Sequence, residues 1–165
     1  MRHVVIDTNV LAVSNGLATH VDTACVEACV ERLVRAQRDE KVVLDVNGLI
    51  LDEYHHHCTP WNPQRPGDQF LRWLLQVQGD PAQCERVTLI ETGDPARPVE
   101  PFPVDPDLAG FDPDDHKFVA TVLASEEQPD VLNAVDTDWR DFEEPLKRHD
   151  VEVQFLCPQH VTGAA

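Results

Sequence analysis

Four carboxylates scattered through the sequence could converge at one end of a sheet: Asp7, Glu53, Asp115 and Asp138. Asp7 ends the apolar run Val4-Val5-Ile6 and is followed by Thr8-Asn9, and Asp138 comes a turn after the apolar stretch 131–135. Asp115 opens a segment of helical periodicity, where the positive end of the helix dipole favours a carboxylate. Glu53 sits beside Leu49, Ile50 and Leu51 in what reads as a helix packed on a sheet. Acids gathered in one place repel each other, so the free site holds at least one proton more than separated acids would. A divalent cation relieves that repulsion, and hard oxygen donors with no thiolate beside them suit Mg²⁺ or Mn²⁺ rather than zinc. One or two such ions can activate a water and stabilise the attacking and leaving oxygens of a phosphodiester. The two-ion form needs metals about 3.5–4 Å apart.

The elements that must position these acids alternate between strand and helix. Apolar runs predict short strands at 4–6, 42–45, 87–90, 131–135 and 151–156. Helices are expected at 22–39, from Asn47 (as a cap) past Tyr54 and failing by Thr59-Pro60, and at 68–78, 114–125 and 139–148. On the first of these, Val26, Val30, Leu33, Val34 and Gln37 mark one face, with Arg32, Arg35 and Arg38 mostly elsewhere. Ser14, Asn15 and Gly16 read as loop, as does the proline-rich stretch 61–67. Residues 92–113, rich in proline and acid and without periodicity, predict a long irregular loop of the functional or mobile kind. Short Val/Ile/Leu-rich strands alternating with helices argue for an α/β fold: one doubly wound parallel sheet covered on both faces, in a single domain over 1–160. Ligands of such sheets lie beyond the carboxyl ends of the strands, where the strand order reverses.

A length of 165 residues fits one sizeable core. No apolar run approaches the roughly 20 residues that cross a bilayer, and the N-terminus has no signal-peptide pattern, which makes the cytoplasm the default location. Five cysteines at irregular spacings do not read as a disulfide framework and fit a reducing compartment. Cys25 and Cys29, four apart on a helix, act as small apolar residues, since no second pair follows to make a metal site. The net charge of −17, from 30 acids and 13 Lys and Arg, argues against broad polyanion binding. It leaves room for an enzyme that grips phosphate through bound cations, whose charge inverts the local field.

Other residues have plainer readings beside the chemical ones. His55-His56-His57-Cys58 cannot all face one ion while a helix persists, and reads as a solvated helix end, with His56 or His57 able to reach Glu53. Trp73 belongs to a core; Trp61 in the proline loop is the better stacking candidate, and Trp139 is a third. Lys117, two residues after Asp115, either touches phosphate or is a surface lysine. Arg32, Arg35, Arg38 and Lys41 form a basic, solvated face.

The segment Val4-Val5-Ile6-Asp7-Thr8-Asn9-Val10-Leu11 resembles the opening strand and first acid of PIN domains. Leu51-Asp52-Glu53-Tyr54 is similar to the segment of their second acid, Asp112-Pro113-Asp114-Asp115-His116-Lys117-Phe118 to that of the third, and Asp136-Thr137-Asp138-Trp139-Arg140-Asp141-Phe142 to that of the fourth. The likeness covers roughly residues 1–156, and the order of the four segments carries it. It implies a PIN-like fold and a Mg²⁺- or Mn²⁺-dependent endoribonuclease, with Asp7, Glu53, Asp115 and Asp138 as metal ligands, supported by Asn9 and Asp141. Asp136 stands where the family often has Ser or Thr, and the spacing to Asp141 is one residue longer than usual. Which of Asp136, Asp138 and Asp141 reaches metal is therefore open, and Asp112 and Asp114 compete with Asp115. The resemblance also implies RNA as substrate and, for the toxin type, an antitoxin or a basic RNA-binding subunit as partner, or a homodimer. The alternatives are a PIN-like binding or assembly module that does not cut, and a phosphohydrolase of small substrates. The lack of an Asp-x-Asp pattern at Asp7 counts against a phosphoaspartate mechanism in the latter.

Overall fold

The apolar runs become strands because both of their faces are covered: Val4, Val5, Ile6, Val42, Val43, Leu44, Val131 and Leu132 are all buried. The computed structural model describes residues 1–161. Its strands are β1 (His3–Ile6), β2 (Lys41–Asp45), β3 (Cys84–Val87), β4 (Ile90–Glu91), β5 (Val99–Glu100), β6 (Asp130–Asn133) and β7 (Val153–Phe155). The helices are α1 (Thr8–Ser14), α2 (Thr23–Asp39), α3 (Leu49–His55), α4 (Pro66–Val77), α5 (His116–Ala124), α6 (Asp138–Asp141), α7 (Glu143–Arg148) and α8 (Pro158–Val161). Two 3₁₀ turns, Pro106–Leu108 and Pro113–Asp115, precede α5.

Five strands form one parallel sheet in the order β3-β2-β1-β6-β7, flanked by helices, an α/β arrangement consistent with double winding. The chain moves outward from β1 to β3, then returns to the other side of β1 and moves outward again through β6 to β7. The order therefore reverses between β1 and β6, which pair from Val4 opposite Asp130 to Ile6 opposite Leu132. Helix α5 lies against β1, β2 and β6, while α1, α2 and α4 pack on one another. Among the described residues, no helix is long and apolar enough to cross a membrane.

Several boundaries differ from the sequence reading, each for a local reason. Residues 8–14 form α1, which takes in Ser14 from the expected loop, because Asp7 caps them by accepting the Asn9 amide. Helix α3 is capped by Asp45, whose two oxygens accept the Leu49 and Ile50 amides; Gly48 takes the left-handed conformation this entry needs (φ 82°). Asn47, expected as the cap, instead holds Leu89 through both its N–H and C=O. That side chain stands in for a strand neighbour, so β3 ends at Val87 and lies earlier than the predicted 87–90. Strand β6 stops at Asn133 because the next two amides turn to the Asn9 side chain. The predicted helix 139–148 is split at Phe142.

Helix α2 buries Cys25, Cys29, Arg32, Leu33 and Ala36, whereas Val34, expected inside, is 52% exposed. Arg32 is not part of a solvated basic face: it is buried because Glu40 accepts its guanidinium at 2.8 and 3.1 Å. Cysteine use also departs from expectation, since Cys25 and Cys157 form a disulfide across 132 residues. The partner lies just past the edge strand β7, which the sheet carries onto the first turn of α2. Cys29, Cys58 and Cys84 are free and buried.

Residues 92–113 stay largely irregular but are tied down. β4 and β5 pair antiparallel, the Arg97 guanidinium donates to the Phe102 and Pro103 carbonyls, and Val99, Phe102, Leu108 and Phe111 are buried. Phe102 stacks on His116, with ring centroids 3.7 Å apart. The insertion thus packs against the start of α5, beside Asp115.

Candidate metal centre

The reversal of strand order brings the acids together. Asp7 leaves β1, Asp136 and Asp138 follow β6, and Asp112 and Asp115 flank the 3₁₀ turn that leads into α5. Oxygens of Asp7, Asp115 and Asp136 all lie within 4.8 Å of one another. So do those of Asp112, Asp115 and Asp138, making Asp115 common to both trios. Three of the four expected ligands thus fall in the cluster, as do Asp136 and Asp112, which the sequence leaves open as competing candidates.

Asp7 is the deepest of them, 4% exposed. Its Oδ1 accepts the Asn9 amide at 2.8 Å and the Asn9 side chain at 2.6 Å, and its Oδ2 accepts the Trp139 indole N–H at 2.7 Å. A carboxylate offers about four acceptor positions, so one remains open. Asn9 acts as a fastener between the two strands. It donates to Asn133 Oδ1 at 2.8 Å and accepts the Ala134 and Val135 amides. Asn133 in turn accepts the Asp136 amide and donates to the Asp136 carbonyl, fixing the turn that presents Asp136. Asp136 then accepts the Asp138 amide.

The electrostatics follow from burial and crowding. Burial pushes the Asp7 carboxyl up to about 6; the Asn9 and Trp139 donors pull it down, and Asp136 and Glu53 add to the rise. Asp115 is pushed up to about 8, by burial first and then by Asp7, Asp136, Asp112 and Glu53. Asp136 and Asp138 are raised too, chiefly by burial, with Asp112 and Asp141 contributing. A divalent ion would reverse this logic by favouring every ionised form at once. All the donors are carboxylate oxygens, which fits Mg²⁺ or Mn²⁺ and does not fit a zinc site of nitrogen and sulfur.

Glu53 lies beside this cluster and outside both trios. Its Oε1 meets the Lys117 ammonium at 2.7 Å and its Oε2 accepts the Thr8 hydroxyl. His56 and His57 are exposed and neither is the partner of its carboxylate. Lys117 is held in part by the Asp114 carbonyl, so it is a placed cation and not a free surface lysine. Asp141 is exposed and outside the trios, though near enough to press on Asp136 and Asp138. Asp114 is outside them as well. Trp139 is fully buried and cannot stack a base; Trp61 is 74% exposed and lies near His55, with centroids 6.2 Å apart. Trp73 is partly buried against the core.

Sequence reasoning missed Thr8, Asn133 and the role of Trp139. Two signals were present. A polar residue closes the apolar strand at Val131-Leu132-Asn133, and a tryptophan directly follows the fourth acid. No family model, curated protein or solved structure matches the chain.

Proposed function

We propose that the chain is a Mg²⁺- or Mn²⁺-dependent nuclease that hydrolyses RNA phosphodiesters at the carboxylate cluster between β1 and β6. The observation that carries the reading is the sharing of Asp115 by two aspartate trios at the point where strand order reverses. Asp7, Asp115 and Asp136 would hold one cation, and Asp112, Asp115 and Asp138 would hold a second. When bound, the cation supplies an activated water and neutralises charge on the phosphodiester.

The chain's own residues do the rest. Trp139 and Asn9 orient Asp7 and leave it one open acceptor position. Asn9 and Asn133 keep the β1 and β6 ends in register, so that Asp7 and Asp136 cannot drift apart. Lys117 offers an ammonium suited to a non-bridging phosphate oxygen, held by the Asp114 carbonyl and by Glu53, whose other oxygen accepts the Thr8 hydroxyl. Without metal, Asp115 carries a proton up to about pH 8 and Asp7 only up to about pH 6, and a cation that binds displaces whichever protons are present. The choice of RNA, and the PIN-like identity, rest on the four sequence segments and their order. With a net charge of −17 the isolated chain should bind RNA weakly, and a basic protein partner would supply affinity.

The test is cleavage of single-stranded and structured RNAs with Mn²⁺, Mg²⁺ or chelator, by wild type and Asp7→Asn. Metal-dependent cutting should fall at least about 100-fold in the variant, since even outer-sphere changes at metal sites cost 10–100-fold. Absence of both cutting and Mn²⁺ binding by calorimetry would replace this reading with a non-catalytic binding module.

A further inference from the structure

Away from the acids, three cysteines meet at the start of α2. Cys25 and Cys29 lie four apart on that helix and share a face; Cys157 arrives from the end of β7. All three are fully buried, and their sulfurs lie within 4.8 Å of one another. In a thiolate site with metal–sulfur bonds of about 2.3 Å, sulfurs sit roughly 3.8 Å apart, inside the 4.8 Å that spans this trio.

Two of the three form the Cys25–Cys157 disulfide, which leaves Cys29 beside it without a covalent role. An apolar filler needs no sulfur, and a structural disulfide needs only two cysteines. Thiol–disulfide exchange by Cys29 is disfavoured. Burial pushes its thiol up to about 12, so almost none is nucleophilic thiolate at neutral pH. A Cys25–Cys29 bridge would also strain the helix that holds both. Coordination has no such requirement, because a bound cation deprotonates its thiols outright. The position suits negative charge: Cys25 is on the first turn of the 17-residue α2, its amide capped by Asp22, where the helix dipole is positive. The arm bearing Cys157 does not depend on the disulfide alone. Gln159 donates to Asp22, His160 lies 3.3 Å from Asp22, and the Leu156 amide donates to the Asn133 carbonyl at 2.9 Å.

We infer that Cys25, Cys29 and Cys157 form a redox-gated site for one thiophilic cation of the Zn²⁺ or Cu⁺ kind, bound when the disulfide is reduced and excluded when it is closed. A dithiol reductant gives two electrons and two protons to the Cys25–Cys157 bond and leaves as its own disulfide, restoring two thiols. Cation binding then releases the three thiol protons to solvent. The inference is independent of the acidic centre, which has no sulfur donors.

The test uses Cd²⁺ as the probe, added to the full-length chain after reduction and anaerobic desalting, with saturating Mn²⁺ present to occupy the carboxylates. Thiolate-to-cadmium charge-transfer absorption should appear at one equivalent per chain and be absent from the disulfide form. Cys157→Ser and Cys29→Ala should each weaken binding at least tenfold, while Cys58→Ser and Cys84→Ser leave it unchanged. Far-ultraviolet circular dichroism on each sample reports whether the chain is folded. The inference is overturned if reduced, folded wild type shows no band, or if the band survives in both Cys157→Ser and Cys29→Ala. It is equally overturned if the reduced chain loses its native dichroism and Cd²⁺ does not restore it.

Discussion

Buried acids occur in two settings in this molecule, and they are treated in opposite ways. Under the helices, Asp68 accepts from Asn15, from the Thr59 and Arg65 amides and from the Arg65 guanidinium. Burial alone would raise its carboxyl, but the Arg65 side chain and the two amides outweigh that and hold it below the usual range. Glu40 is likewise met by Arg32. At the end of the sheet, Asp7 and Asp115 are pushed up to about 6 and about 8. Among the described residues, no Lys or Arg pairs with Asp7, Asp112, Asp115, Asp136 or Asp138; Lys117, two residues past Asp115, is held by Glu53. Where Asp68 and Glu40 serve the fold, the chain supplies an arginine as compensating charge, and it meets Asp45 with the two α3 amides that this side chain caps. Between β1 and β6 it supplies none, and that is the pattern expected where a cation from outside completes the site.

The largest test of this contrast removes an acid from each setting. Asp68→Ala strips Arg65 of its partner and leaves the Thr59 and Arg65 backbone amides without an acceptor. It should destabilise the fold by about 3 kcal/mol, the low end for breaking a buried pair because Arg65 is partly exposed. At about 2–4 °C per kcal/mol, the melting temperature falls by roughly 10 °C. Asp115→Asn, measured without metal at pH 8, should raise the melting temperature instead. A loss of stability in both variants would mean the sheet-end acids are structural, like Asp68, and the contrast would not hold.

The second test is the pH dependence of the metal-free protein. Asp7 and Asp115 have folded-state pKa values above their unfolded ones, so the native state binds more protons than the unfolded chain. Their contribution to stability is complete below about pH 4 and is lost as pH rises through about 6 for Asp7 and about 8 for Asp115. Denaturant melts should therefore weaken from pH 5 to pH 8, with the upper part of the decline missing in Asp115→Asn. Mn²⁺ should oppose the decline more strongly at pH 8 than at pH 5, because it competes with protons. At a hundredfold excess over its dissociation constant it adds about 2.7 kcal/mol. Equal Mn²⁺ stabilisation at both pH values would count against binding at these carboxylates.

The parts of this picture that were legible in the sequence are those written locally. Val4-Val5-Ile6-Asp7 carries both the strand and the acid at its end, and the alternation of such runs with helical patterns gives the α/β class. The aspartate segments around 112–115 and 136–138 were visible too, but which of their members converge was not, since turn geometry decides it. Asp136 and Asp112 enter the trios because the Asn133 side chain and the 3₁₀ turn aim them. Contacts set by the topology left no local trace. Examples are Asn9 with Ala134 and Cys25 with Cys157. Arg32 with Glu40 is a pair within α2 and its cap, misread because a buried arginine and a solvated one look alike until a partner is known. Helix α4 shows the same limit at Gly67. Any side chain there would meet the Asn15 amide and the Leu11 carbonyl at 2.7 Å, a close approach that only the folded chain reveals.

The finest test separates orienting Asp7 from merely packing beside it. Trp139→Phe keeps an aromatic ring against Phe111, with which Trp139 makes an edge contact at 5.1 Å, but removes the indole N–H from Asp7 Oδ2. That donor holds the Asp7 carboxyl down, so its loss lets burial push the carboxyl further above 6. Mn²⁺ affinity by calorimetry should drop about tenfold near pH 6, the low end of effects from outer-sphere partners. The deficit should shrink toward pH 8, where Asp7 is ionised in both proteins. A deficit of the same size at every pH would mean that Trp139 acts by shaping the cavity, and that the proton on Asp7 has no part in metal binding.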